Sequence, residues 1–213
     1  INLEEMKSFD PKNIVVGISS NILNDSLIEI ALNDLKITGV SNVIYNPEKY
    51  SLPLFRSILT SDMKRDLPKY ISNYANKDIQ VFNVTDIVEF NNKDTLTHAP
   101  YGQYIFNEIK EDKVSDSELE QMKINTKSQA TNYLNKIMTN YDFDIFISVD
   151  NSMAGIAAAA HFPALTIPMG YRSDGQPSNI TFIAKSKNEQ LLYNIAYRYE
   201  NQSKRRVAPK KYN

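Results

Sequence analysis

The polar residues best placed for chemistry follow DIFISV, residues 144–149, an apolar and β-branched run typical of a buried strand. Asp150, Asn151, Ser152 and Met153 come directly after it. Loops at the carboxyl ends of strands are where α/β proteins usually bind ligands. A carboxylate, an amide and a hydroxyl at such a place could hold a small polar ligand by hydrogen bonds. Asn151 and Ser152 could equally cap the helix that follows, and both roles can coexist.

Groups for covalent or acid–base catalysis are few. The chain has no cysteine, which excludes a disulfide framework, a thiolate nucleophile and Cys-ligated metal. Histidine is the residue type that exchanges protons most readily near neutral pH, and the chain has two. We predict that His161, between an alanine run and Phe162-Pro163, ends a helix, whereas His98 is better placed to face a pocket. No Asp-His-Ser arrangement supports either histidine as a catalyst.

Composition excludes several classes of protein. The 213 residues suffice for a sizeable core, and a net charge of -1 gives no general attraction to nucleic acid or anionic lipid. No apolar run approaches the ~20 residues of a membrane helix. No phosphate-binding glycine loop, dinucleotide fingerprint or H-E-x-x-H motif is present, so we expect no cofactor and no metal. The sequence does not determine the cellular compartment, with the cytoplasm favoured. The basic run 202–213 is expected to be a solvated tail.

The first elements form a βαβ unit. NIVVGIS, residues 13–19, and NVIY, residues 42–45, are predicted strands. Between them, Asp25 can cap a helix that Gly39 closes. Strand, helix and strand joined by short links normally belong to a parallel sheet.

The middle of the chain reads as helical. A pattern beginning at Pro53 is expected to end or kink at Pro68. The segments 85–93, 101–111 and 115–141 are also predicted helices.

The last third returns to strands. DIFISV is followed by a helix in the small-residue run AGIAAAA, then by the strands ALTIPMGY and NITFIA, then by a final helix. Ser173-Asp174-Gly175 is a hairpin turn signal, and Pro168 inside a strand indicates an edge or a bulge. The sequence therefore predicts an α/β fold with a mixed sheet flanked by helices. No linker stands out, so we expect a single domain over 1–213 with a helical lobe at about 85–141.

A specific series of short motifs begins after the alanine run. It contains a Pro-Ala pair, a strand ending in Pro-x-Gly, a Gly-x-Pro turn, an apolar strand and a helix with ordered Glu, Leu and Tyr positions. The residues concerned are Pro163-Ala164, Pro168-Met169-Gly170, Gly175-Gln176-Pro177, Glu189, Leu191, Leu192, Ala196, Tyr197 and Glu200. Upstream stand VTDIVEFNN and YGQYIF, then a long helix leading into YDFDIFISVDNS. This series resembles the C-terminal region of the amidase signature family from about residue 79 onward, and the resemblance extends back to Asn13.

The resemblance implies a part of the amidase signature fold and a carboxamide hydrolase as the parent enzyme. The family's catalytic apparatus is Ser-Ser-Lys, with the serines in a Gly/Ser-rich stretch of the GGSSGGS type. This sequence has 6 glycines, no Gly-Gly pair and no corresponding lysine motif. Ser19-Ser20 is the only look-alike, and it follows a strand that in the family comes after the catalytic core. We therefore assign no catalytic residue and expect a C-terminal portion, cut before or near Ile1, that is inactive alone.

In the family this region completes the sheet and lines the substrate pocket. The resemblance and position make Asp150, Asn151, Ser152 and Met153 pocket candidates, with Tyr101 and Gln103 as a second pair that could instead pack at a helix start. The expected partners are the missing N-terminal catalytic half and a small amide substrate, with neither nucleic acid nor membrane. Open sheet edges would also favour self-association. The alternative is a non-catalytic ligand-binding or interaction module with an amidase-derived fold.

Overall fold

The computed structural model describes residues 1–208, in which five strands form one mixed sheet in the order β2-β1-β3-β5-β4. The strands are β1 (Val15–Ser19), β2 (Ser41–Tyr45), β3 (Ile145–Val149), β4 (Ala164–Tyr171) and β5 (Pro177–Ala184). The helices are α1 (Leu3–Ser8), α2 (Ser26–Thr38), α3 (Phe55–Tyr74), α4 (Val84–Asn92), α5 (Thr95–His98), α6 (Tyr104–Glu111), α7 (Asp116–Asn140), α8 (Ala154–Ala160) and α9 (Glu189–Ser203). The predicted α/β class with a mixed, helix-flanked sheet is confirmed.

The βαβ unit forms as predicted. β1 pairs in parallel with both β2 and β3, and α2 connects β1 to β2. The Asp25 carboxylate accepts a hydrogen bond from the Leu27 N–H at 2.9 Å, which satisfies one of the free donors at the start of α2. Gly39 ends α2 in the left-handed conformation, with φ at 100°, which glycine adopts without a Cβ clash.

The predicted hairpin β4–β5 closes the sheet. β5 lies between β3 and β4 and is antiparallel to both, so β4 is an edge strand. The register shifts between Pro168 and Gly170, which is the bulge that a proline within a strand indicates. Both expectations for Pro168 are therefore confirmed.

The main apolar core lies on one face of this sheet, under α2 and α9. Alternate residues of each strand point to the same face, so the strands contribute every second side chain. The strand members include Val16, Ile18, Ile145, Ile147, Ile180 and Phe182, and the helix members include Ile28, Ala31, Leu35, Leu192, Ile195 and Tyr199.

The chain divides into two compact units. The first unit comprises Ile1–Ser51 and Lys127–Asn213 and contains the sheet; its residues 209–213 lie outside the described part of the chain. The second unit is Leu52–Thr126 and is helical. The helical unit therefore begins and ends earlier than the predicted lobe at 85–141. The prediction was misplaced because α3 belongs to this unit through contacts with residues about 50 positions later, such as the Ser61 hydroxyl with the Asp112 carboxylate at 3.0 Å. The single-domain boundary 1–213 stays a prediction.

Two local expectations are corrected in part. Pro68 does not end its helix, because α3 continues through it to Tyr74, and the alternative of a kink at Pro68 stays a prediction. An interior proline costs ~3 kcal/mol, and we attribute the continuation to packing of the neighbouring Leu67 against Val84, Val88 and Ile109. The basic C-terminal run is not simply solvated, since Arg205 pairs with the buried Asp34 at 3.0 Å. The remainder of that prediction, 209–213, lies outside the described residues.

Candidate functional site

Polar side chains gather where β3 ends, at the edge formed by the carboxyl ends of the parallel strands. Asp150 has a positive φ of 49°, which turns the chain sharply after β3. Its carboxylate accepts hydrogen bonds from the Asn179 N–H at 2.7 Å, the Asn179 side-chain amide at 3.3 Å and the Ser178 hydroxyl at 3.3 Å. The Asp150 N–H in turn donates to the Asn179 carbonyl at 2.9 Å. Asp150 thus fixes the turn after β3 onto the first residues of β5.

An ion pair extends these contacts to α2. The Arg172 guanidinium, in the β4–β5 turn, donates to the Asp25 carboxylate at 2.8 Å and to the Ser178 hydroxyl at 3.2 Å. The bond from Arg172 is the main cause that lowers the pKa of Asp25 below its ordinary value, and partial burial acts in the opposite direction. Asp25, Arg172, Ser178, Asp150 and Asn179 form one connected group, named here the edge network. It joins the start of α2, the hairpin and the turn after β3.

Two of the hydroxyl groups beside this network are hydrogen-bonded. Ser148, Thr181 and Thr166 lie side by side in register on three neighbouring strands. The Thr181 hydroxyl donates to the Asp150 carbonyl at 2.6 Å, so it accepts from the Thr166 hydroxyl at 2.9 Å. These bonds support the Asp150 turn from the sheet side.

The four predicted residues after β3 divide into two roles. The Asp150 carboxylate is occupied by its donors and holds the turn in place. The side chains of Asn151 and Ser152 are exposed at the same edge. The prediction that they cap α8 was wrong: the N-cap is Met153, without a side-chain cap bond. The turn is closed instead by backbone bonds, from Ser152 N–H to Val149 carbonyl at 3.1 Å and from Ala154 N–H to Asn151 carbonyl at 2.9 Å. Asn151 and Ser152 therefore have the exposed polar side chains of this turn, and the role of these four residues in a pocket stays a prediction.

Tyr101 and Gln103 lie in the helical unit rather than in the unit that holds Asp150. The Tyr101 side chain is 99% exposed. Gln103 is the N-cap of α6; its side-chain amide donates to the Asn92 oxygen at 2.7 Å and accepts from the Asn91 amide at 3.1 Å. These bonds join α6 to the end of α4, as the packing alternative for Gln103 anticipated. The role of Tyr101 and Gln103 as pocket residues stays a prediction.

The histidines and the serine pair have local structural roles. His161 is the left-handed C-cap of α8, as predicted. His98 stacks on the Phe90 ring with centroids 4.2 Å apart, and its Nδ1 lies 3.1 Å from the Phe90 carbonyl oxygen. The Ser19 hydroxyl accepts from the Asn21 N–H at 3.2 Å and caps the turn after β1. Among the described residues, no hydrogen bond joins either histidine to a serine hydroxyl.

The opposite edge of the sheet holds a cavity of about 320 Å³, before β3 and after β5. Its lining includes Asp142, Phe143, Asp144, Lys185 and Leu191, so it is separate from the edge network. Within residues 1–208, no group of three or more His, Cys, Asp or Glu side chains is arranged to hold a metal ion. Over the same residues, no helix is both long and apolar enough to span a bilayer.

Sequence reasoning missed the edge network as a unit. It identified Asp150 as a candidate and Asp25 as a helix cap, but not Arg172, Ser178 or Asn179. Arg172 and Asp25 are 147 positions apart, and no local pattern links them. The hairpin turn signal was the only indication that residues after β4 would reach this edge.

Comparison with known proteins finds similar chains among amidases. No family model matches the sequence. A probable amidase from Arabidopsis thaliana is 19% identical over 183 residues, which cover 85% of this chain and 35% of that protein. An amidase family protein from Bacillus anthracis is 26% identical with a TM-score of 0.81, over 94% of this chain and 40% of that one. Peptide amidase from Stenotrophomonas maltophilia is 20% identical with a TM-score of 0.80, over 96% of this chain and 46% of that one. The chain therefore spans less than half the length of each of these proteins.

Proposed function

We infer that this chain, which has the fold of a C-terminal portion of amidase signature enzymes, completes the sheet and lines the substrate pocket of a carboxamide hydrolase without supplying its catalytic residues. The observation that carries this inference is the edge network. It fixes the Asp150 turn so that Asn151 and Ser152 are presented at the carboxyl edge of the sheet. This is the edge at which α/β folds usually bind ligands.

The proposal that the chain is inactive alone rests on the hydrogen bonds of Ser19 and Ser178 and on the lack of a catalytic motif. A serine nucleophile needs a base within hydrogen-bond reach and donors for the oxyanion. Ser19 is used as a cap, and Ser178 bonds to Asp150 and Arg172 within the sheet edge. The sequence also lacks the Gly-Gly pairs of a GGSSGGS-type stretch. The nucleophile and base are therefore assigned to a portion of the amidase outside these 213 residues.

In amide hydrolysis by a serine, the hydroxyl oxygen adds to the carbonyl carbon, the C–N bond breaks as the amine takes a proton, and water then cleaves the acyl ester. This chain would act before and during the first step. The exposed amide of Asn151 and hydroxyl of Ser152 would hydrogen-bond the substrate, while the edge network keeps their turn rigid. Fixed placement of a reacting group can supply several kcal/mol of the barrier reduction.

The test is reconstitution. The polypeptide encoded directly before Ile1 in the source gene is produced separately, and ammonia release from a panel of small carboxamides is measured for each part and for the mixture. We expect no turnover by this chain alone and clear turnover by the mixture. Asn151→Ala and Ser152→Ala should leave the melting temperature unchanged and raise KM by about 10-fold each, the loss of roughly one hydrogen bond.

Turnover by this chain alone would contradict the proposal, as would a preceding reading frame without a GGSSGGS-like stretch. A mixture that stays inactive, with a chain that still binds a small amide, would favour the non-catalytic binding module.

A further inference from the structure

Three cationic side chains of α3 make contacts with other parts of its own unit. The Arg65 guanidinium donates to the Asp116 carboxylate at 2.7 Å and to the Val114 carbonyl at 2.6 Å. Lys64 donates to the Lys110 carbonyl at 2.9 Å, and Arg56 forms an ion pair with Glu108.

One side of α3 carries four exposed apolar side chains. Leu59, Met63, Tyr70 and Tyr74 recur at steps of four, seven and four residues, which places them on one side of the helix. Their exposed fractions are 54%, 38%, 62% and 75%. The rings of Tyr70 and Tyr74 lie 5.3 Å apart between centroids. These four residues are named here the α3 stripe.

A surface helix usually turns its apolar residues inward. In α3 this holds for Ile58, which is buried, and for Leu67, which packs within the unit, but not for the α3 stripe. Exposed apolar faces of this kind mark interaction sites. Tyrosine and methionine, which make up three of the four positions, are residue types enriched at protein–protein interfaces.

A lipid surface is a poor match for the α3 stripe. Helices that lie in a membrane interface carry Lys and Arg on the polar face to meet anionic lipid. Here Arg56, Lys64 and Arg65 are engaged within their own unit, and Lys69 pairs with Asp66 at 3.1 Å.

We propose that the α3 stripe is the surface on which the catalytic portion of the amidase packs. The inference rests on the proposed function. It is supported by the matched structures, in which 40% and 46% of the length corresponds to this chain, so that more than half of each fold lies outside it. The partner surface should be apolar, with hydrogen-bond acceptors for the two tyrosine hydroxyls.

The test uses the full chain with the separately produced polypeptide encoded before Ile1 as the probe. Isothermal titration gives Kd, and ammonia release from a carboxamide gives restored turnover. The combined variant Tyr70→Glu/Tyr74→Glu should raise Kd by at least about 30-fold, since buried tyrosines are frequent interface hot spots. Because both side chains are exposed, its melting temperature alone should match that of the wild type. The matched control is Leu96→Glu, in the same unit and 87% exposed, which should change Kd by less than about threefold.

Each of the following outcomes would overturn the inference. Unchanged Kd in the stripe variant, with turnover restored, would overturn the inference and leave the proposed function standing. Failure of the wild-type chain to bind the probe or restore turnover would overturn both. A wild-type dimer in sedimentation that the stripe variant dissociates would assign the α3 stripe to a second copy. Stripe-dependent binding to vesicles of phosphatidylcholine and phosphatidylglycerol would assign it to lipid, and either result would overturn the inference.

Discussion

Asp150→Ala is expected to lower the free energy of unfolding by about 3 kcal/mol, because it removes a charged acceptor and leaves its donors without a partner. The Asn179 N–H, the Asn179 amide and the Ser178 hydroxyl all point at this carboxylate, and Ser178 is fully buried. Alanine also tolerates the positive φ at this position less well than aspartate. Urea denaturation followed by circular dichroism measures the change.

Two variants serve as controls for this prediction. Asp150→Asn keeps the side-chain shape, one acceptor oxygen and the tolerance of a left-handed backbone, so a smaller loss of about 1–2 kcal/mol is expected. Asp174→Ala removes an exposed acid that accepts one local bond, from the Gln176 N–H at 3.0 Å, and should cost less than about 1 kcal/mol. Equal, small losses for Asp150→Ala and Asp174→Ala would show that the edge network does not stabilise the fold.

Gly17→Ala is expected to cost about 3 kcal/mol of folding free energy through overpacking. A Cβ at this position in β1 would lie 2.6 Å from two carbons of the Phe143 ring, well inside van der Waals contact. The ring cannot move away easily, because it is 4% exposed and packs against Tyr45 and Phe146 with centroids 5.3 and 6.2 Å away. The same denaturation measurement gives the loss.

A double-mutant cycle isolates this contact. In a Phe143→Ala background the ring is absent, so adding Gly17→Ala should cost less than about 1 kcal/mol. If the two losses simply add, the clash with Phe143 is not the cause, and the prediction fails.

Local signals in the sequence were enough to predict much of the fold. Asp25 and Gly39 delimit α2 because capping depends on residues only a few positions away. Pro168 indicated an edge and a bulge because the missing N–H acts at its own position. The continuous apolar runs of β1 and β3 predicted buried strands, and nearly every residue of both strands is buried.

What the sequence did not predict depends on contacts between distant positions. Asp150 reaches Asn179 across 29 positions, and Arg172 reaches Asp25 across 147. The helical unit was misplaced for the same reason, since its boundary is set by α3 contacts such as Ser61 with Asp112, 51 positions apart. Asn151 and Ser152 lie at the sheet edge because they directly follow β3, which the sequence predicted. That neither side chain caps α8 depends on backbone geometry, which the residue types do not reveal.

The most direct test is to find which serine becomes covalently modified in the reconstituted amidase. A fluorophosphonate, which reacts with activated serine hydroxyls, is added to the mixture of this chain with the polypeptide encoded before Ile1, and the adduct is mapped by peptide mass spectrometry. We expect the label in the Gly/Ser-rich stretch of the added polypeptide and no label on residues 1–213. A stoichiometric adduct on any serine of this chain, matched by loss of turnover, would contradict the assignment of this chain as scaffold and pocket wall.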